Sequence, residues 1–247
     1  MVVRFFATLV SRAARVRLAV LTVLLFTDFS SVRGQQPSSL AQLVQQFESE
    51  TVFWRQIEVA KAIVATHDKS ILPRLESWLA HEDRHLRGNT AFIFAGLGDP
   101  RGFDVIEAIL RDYSERPPGE GFGKPPRWSL REQIRQDRYY ATHLLGDLKD
   151  PRAIPILVSL VTDPDVNYIV PWSLAQIGDH SAIPVLIETL RDQNPSIRVL
   201  AIYALVELKA TEAVPRLQQM LGDHERSNFG KLESVADAAQ AAISKLQ

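Results

Sequence analysis

A chain of 247 residues, 46% of them hydrophobic, is long enough to bury a real core in one or two domains. A formal net charge of −1 argues against a phosphate-backbone binder, which needs clustered Lys and Arg, so no nucleic-acid partner is expected. The absence of cysteine excludes disulfides, thiolate metal ligands, a cysteine nucleophile and thiol-linked chromophore or lipid on this chain.

Charge is unevenly spread. Residues 1–34 hold five arginines (Arg4, Arg12, Arg15, Arg17, Arg33) against Asp28, leaving 23 basic and 28 acidic residues beyond them. A basic start, an apolar run from Leu18 to Phe26, and Val32 and Gly34 just before Gln35 form the layout of a secretory signal peptide. The apolar run is about half the roughly 20 residues a spanning helix needs. The expectation is a signal peptide over 1–34 and an exported protein, periplasmic or secreted, with no stable membrane span after cleavage. An uncleaved N-terminal membrane anchor, or a spurious leader from an upstream start, are the alternatives.

Beyond the leader the sequence repeats. Pro73, Pro155, Pro184 and Pro215 each stand just inside an apolar helix, and Asp104 takes the same place 31 residues after Pro73. Before that position come Leu72, Phe103, Ile154, Ile183 and Val214. Two after it come Leu75, Ile106, Leu157, Leu186 and Leu217, and six after it Leu79, Leu110, Val161, Leu190 and Leu221. These offsets predict one apolar stripe per first helix, with proline where its missing N–H is harmless. Polar turns such as His81–Asp83, Thr162–Pro164 and Asp192–Pro195 then start a second helix. In the clearest copy, Ile197, Leu200, Ala201, Ala204, Leu205 and Leu208 share a face. Six helix-turn-helix units follow: a divergent cap over 38–65, then units beginning near Ser70, Arg101, Arg152, Ser181 and Glu212. Irregular ends are expected, because end repeats solvate one outer face.

The turns Leu97-Gly-Asp-Pro-Arg-Gly102, Gly146-Asp-Leu-Lys-Asp-Pro-Arg-Ala-Ile-Pro155 and Gln176-Ile-Gly-Asp-His-Ser-Ala-Ile-Pro184, with the Ile197-Arg198 pair, resemble the HEAT repeat family. Within it they resemble the short HEAT-like repeats also found in phycobilisome lyases. The resemblance implies an all-α fold, a right-handed α-solenoid of the armadillo-like superhelical kind over 35–247, and a protein that commonly holds partners.

Two departures from the repeat are candidates for function. An insertion at about 113–136 is loop-like in its first half and reads as a short basic helix, capped by Ser129, in its second. Its Phe122, Trp128, Arg131 and Arg135 are candidates for gripping a partner, or the aromatics fold back onto the scaffold. On the second helices one column reads Phe92, His143, Trp172, Tyr203, and four residues earlier Gly88, Tyr139, Tyr168, Val199. These lie away from the core stripe, on the side that lines a solenoid's concave face. Tyr139, His143, Tyr168, Trp172 and Tyr203, with Phe92, either grip a peptide or pack between neighbouring helices. Arg87, Arg138 and Arg198 share another column, with Asn167 in the remaining unit. The HEAT resemblance implies that such arginines pair with the acid of the preceding turn, a structural role, the alternative being partner binding. Pro171 is expected to bend a second helix mid-way.

No catalytic constellation or Gly-rich phosphate loop is legible, and no cofactor is expected. His-Glu pairs at matched positions of four repeats hold the di-iron of deoxyhypusine hydroxylase, a HEAT-repeat enzyme. Here His81-Glu82 and His224-Glu225 are the only such pairs and read as turn residues, so no metal is expected. The functional expectation is a non-catalytic scaffold binding a protein or peptide on the concave face. The alternative is a lyase-like or cofactor-binding enzyme subunit related to bilin lyases.

Overall fold

A computed structural model describes residues 39–114, 130–228 and 233–247, with Leu130 described for its backbone only. The expected leader and the candidates Phe122 and Trp128 lie outside the described residues, as does Ser129. Among the described residues the fold is all-helical, apart from one isolated bridge between Arg226 and Ser234. None of the described helices is long and apolar enough to cross a membrane. The chain divides into two compact units: Ser38–Ala182, and one whose described part is Ile183–Gln247.

The larger unit begins with α1 (Leu40–Ser49) and α2 (Phe53–Val64). It continues with α3 (Leu72–Leu75), α4 (Arg84–Gly96), α5 (Arg101–Leu110), α6 (Leu130–Asp147), α7 (Ile154–Ser159) and α8 (Val170–Ile177). The second helices α2, α4, α6 and α8 pack in sequence, each on the next, while α5 packs on α4 and α6. In the smaller unit α9 (Ile183–Thr189) packs on α10 (Pro195–Glu207), and both α10 and α11 (Val214–Gln219) pack on α12 (Val235–Leu246). The chain thus has the paired-helix repeat of an α-solenoid. In each repeat the residue two after the proline position is fully buried: Leu75, Ile106, Leu157, Leu186 and Leu217 are all 0% exposed.

First helices are shorter than the apolar stripe suggests. Lys69–Ile71, Pro151–Ala153, His180–Ala182 and Thr211–Ala213 form 3-10 turns that lead into α3, α7, α9 and α11. Asp68, Asp150 and Asp179 each accept a backbone N–H two residues on, which is why the Asp-x-x motif recurs at this entry. The residue before each of these acids closes the previous helix with a positive φ: His67, Lys149 and Gly178, with Gly98 and Lys209 at the equivalent places. Leu221, expected on the apolar stripe, is instead 39% exposed.

Two further expectations are corrected. The basic segment after the insertion is no separate short helix, because it forms the first turns of the 18-residue α6. Pro171 does not bend a helix mid-way. Residues 164–169 are turns, and α8 begins at Val170 with proline in its first turn, where the lost donor has no partner to miss.

Candidate functional site

The arginine column holds the repeats in register, though not through the acid of the preceding turn. Arg87 donates to the His81 carbonyl, Arg138 to the Leu110 carbonyl, and Arg198 to the Asp192 and Gln193 carbonyls, all on the preceding segment. Their charges pair forward: Arg87 lies 4.0 Å from Asp112, Arg138 bonds Asp163, and Arg198 bonds Asp223 and Glu225. A helix interior thereby ties the carbonyls behind it to the acidic turn ahead, which fits the structural role expected.

The inward side of α4 is closed. Phe53 on α2 meets Tyr140 on α6 at 4.8 Å between ring centroids, and Lys61 on α2 reaches Asp147 on α6 at 2.8 Å. Both ties run past α4, which packs between those helices. Beneath them lies a buried polar network that sequence reasoning missed. Gln56 donates to the carbonyls of Phe47 and Glu50, Asn89 donates to the Phe53 carbonyl and Gln56 Oε1, and the Tyr140 hydroxyl donates to Asn89 Oδ1. The signal available was a polar residue on the inward side of three successive second helices. Phe92, expected as a concave-face contact, is only 3% exposed and has no surface to offer a partner. Gly88 and Val199, in the neighbouring column, are also buried.

The other candidates of the larger unit come together along the seam between α6 and α8. Tyr139 stacks on Tyr168 with centroids 5.7 Å apart and planes 12° from parallel. One turn further along α6, His143 lies against Trp172 at 4.3 Å. Tyr139 and His143 are themselves 6.4 Å apart, so the four rings make two rungs, all half-buried. The rings thus pack on one another across the seam, and each keeps surface.

The same i, i+4 ridge of α6 continues upward to Arg135 and Arg131, both exposed, and downward to Asp147. Two of the insertion candidates thus stand in line with the aromatic ones. Tyr203, on α10 in the smaller unit, is half-buried.

Electrostatics follow burial. The Tyr139 phenol is pushed well above its ordinary range by burial, and burial also raises the Tyr168 phenol, against the Arg135 charge. Burial also lowers the His143 imidazole below its usual value, against the pull of Asp147 at 3.5 Å. For Lys61, burial works downward but the hydrogen bond and charge of Asp147 outweigh it, so the ammonium is held above the ordinary lysine value. The rungs thus stand between a cationic upper end, Arg131 and Arg135, and the Lys61–Asp147 pair below.

His81 and Glu225, from the two His-Glu pairs, have structural partners: His81 Nδ1 accepts the Asp83 N–H and the ring stacks on Trp78, while Glu225 pairs with Arg198. Among the described residues no group of three or more His, Asp or Glu is placed to hold a metal ion.

Comparison with known proteins agrees with this geometry. Residues 129–194 match a family model described as HEAT repeats, and residues 182–210 match one described as HEAT repeat. The chain is 30% identical over 146 residues to the bilin biosynthesis protein PecE of Mastigocladus laminosus, covering 58% of this chain and 49% of that protein. The protein of the same name from a Nostoc species is also 30% identical over 146 residues, 53% of its length. The phycocyanobilin lyase subunit alpha of Synechococcus elongatus is 35% identical over 96 residues, covering 34% of this chain and 35% of that protein. The chain thus spans about half or less of the curated relatives it matches. Paired helices, Asp-capped entries and the family models converge: this is a HEAT-like repeat protein.

Proposed function

We propose that the chain is a non-catalytic interaction protein that binds a protein or peptide partner through the α6–α8 seam. The observation that carries this reading is the pair of half-buried aromatic rungs, Tyr139–Tyr168 and His143–Trp172, flanked by exposed arginines. Aromatic side chains that are positioned by packing and still present surface supply contact area at small entropic cost, as interface anchors do. The test is capture of partners from the native host by wild type and by a Tyr168→Ala, Trp172→Ala double variant. Loss of a discrete partner by a double variant that keeps its helical circular dichroism supports the reading. A double variant that unfolds, or one that retains the partner, contradicts it.

A second reading, a lyase-like or cofactor-binding subunit, is favoured by the relatives, whose names place them in bilin biosynthesis and in a phycocyanobilin lyase. Stoichiometric pigment on protein purified from its native host would support it over the first. We further propose export, on the strength of the basic and apolar leader alone; a mature N-terminus at Gln35 is the expected result of intact-mass measurement.

A further inference from the structure

The α6–α8 seam has a periodicity of its own, and the inference drawn from it rests on the reading of that seam as a docking surface. Along α6, Arg131, Arg135, Tyr139, His143 and Asp147 recur every four residues, a rise of about 6 Å per step. The rings of the two rungs are spaced accordingly, with Tyr139 and His143 centroids 6.4 Å apart. An extended chain advances about 3.3 Å per residue, so residues i and i+2, which point the same way, stand about 6.6 Å apart. The rungs therefore match alternate side chains of an extended segment.

Charge sets the third position. Arg131 is 86% exposed and lies 4.0 Å from Asp165, and Asp165 also faces Arg138. Arg135, one step above the first rung, is exposed and forms no ion pair among the described residues. Arg135 precedes Tyr139 by one i, i+4 step of α6, so cation and rung lie on one ridge. At the lower end Lys61 and Asp147 satisfy each other at 2.8 Å and ask for no further charge.

We infer that the seam binds an extended peptide segment of a partner protein with the pattern acidic-x-apolar-x-apolar. The carboxylate meets Arg135, and the two apolar side chains rest on the Tyr139–Tyr168 and His143–Trp172 rungs. An exposed guanidinium beside half-buried rings suits a carboxylate attached to an apolar body, and repels a basic segment in the same register.

The experiment is selection of a degenerate dodecapeptide display library on the full-length protein, repeated on Arg135→Glu and Arg135→Gln. Position 135 is exposed, and melting curves would verify that both variants fold. The expected outcome is enrichment of acidic-x-apolar-x-apolar on wild type and loss of acidic preference on Arg135→Gln. On Arg135→Glu the first position should invert to Lys or Arg, and the best wild-type peptide should bind about tenfold more weakly. A pattern indifferent to residue 135, apolar positions adjacent rather than alternate, or no enrichment at all would each overturn the inference. Competition by citrate as effective as by the peptide would likewise sink it, by making a small anion the occupant. Failure here with the Tyr168 and Trp172 dependence of partner capture intact would leave the docking surface standing and remove only its stated ligand.

Discussion

Three non-glycine residues close helices in the left-handed region: His67, Lys149 and Lys209, where Gly98 and Gly178 serve the other units. Such a residue costs about 1–2 kcal/mol relative to right-handed backbone, partly offset by the freedom glycine gains when unfolded. Both lysines are exposed. Lys149→Gly and Lys209→Gly should therefore each stabilise the fold by roughly 0.5–1 kcal/mol, read as a higher midpoint in urea. The opposite is expected at Arg138, whose side chain is 3% exposed and tied to the Leu110 carbonyl and Asp163. Arg138→Ala strands both partners and should cost about 3 kcal/mol; Arg138→Lys should recover only part, because an ammonium cannot span carbonyl and carboxylate together. The structural role of the arginine column was legible through the resemblance to HEAT-like repeats. Its partners were not, because the acid it meets belongs to the following unit, more than 20 residues away in sequence.

At the scale of elements, two glycines set how closely helices cross. A Cβ on Gly102 of α5 would stand 2.2 Å from the Ala95 nitrogen and 2.3 Å from the Ala91 oxygen of α4. One on Gly146 of α6 would stand 2.7 Å from the Ser173 Cα of α8. The obstacle is backbone in both cases, so no rotamer relieves it, and Gly102→Ala and Gly146→Ala should each destabilise by about 3 kcal/mol. Chemical denaturation of the two variants checks this. Gly146 matters for the site, because it lets α8 lie close enough for Trp172 to reach His143. Helix pairing and the buried column around Leu157 could be read from apolar spacing, since each offset repeats at least five times. The start of α8 could not: Asn167 to Ile169 continue the apolar-polar pattern of a helix, and the turn there is settled by Pro171 and by the Asp163 carbonyl taking two N–H groups. The closure over Phe92 also escaped the sequence, because it depends on Phe53 and Lys61 reaching α6 across the intervening helix.

For the whole molecule, the repeated turns make stability depend on carboxylates. At Asp83 burial works to raise the pKa, but hydrogen bonds from His85 and the backbone hold it down at about 2. Asp112 is lowered further by Arg84 and Ser114, and Asp99, Asp150 and Asp163 are lowered by Arg101, Arg152 and Arg138. Groups depressed on folding stabilise above their unfolded value, near 3.9, and lose that contribution as pH falls through the folded one. Melting temperature should thus fall steeply between about pH 4 and pH 2. A smaller step should precede it. His143 is depressed by burial and by the Lys61 charge, against the opposing pull of Asp147 and Glu58, so stability present above about pH 6.5 declines as the medium turns acidic. His143→Phe, which keeps the contact with Trp172, should remove that first step alone.

We propose that a partner meets the α6–α8 seam rather than another helical face. Photocrosslinking from a benzoylphenylalanine at position 168, compared with one at the exposed Val158 of α7, tests it most directly in the native host. A partner seated on the seam gives a discrete crosslink from position 168 and none from position 158. The same partner from both positions, or from position 158 alone, would contradict it.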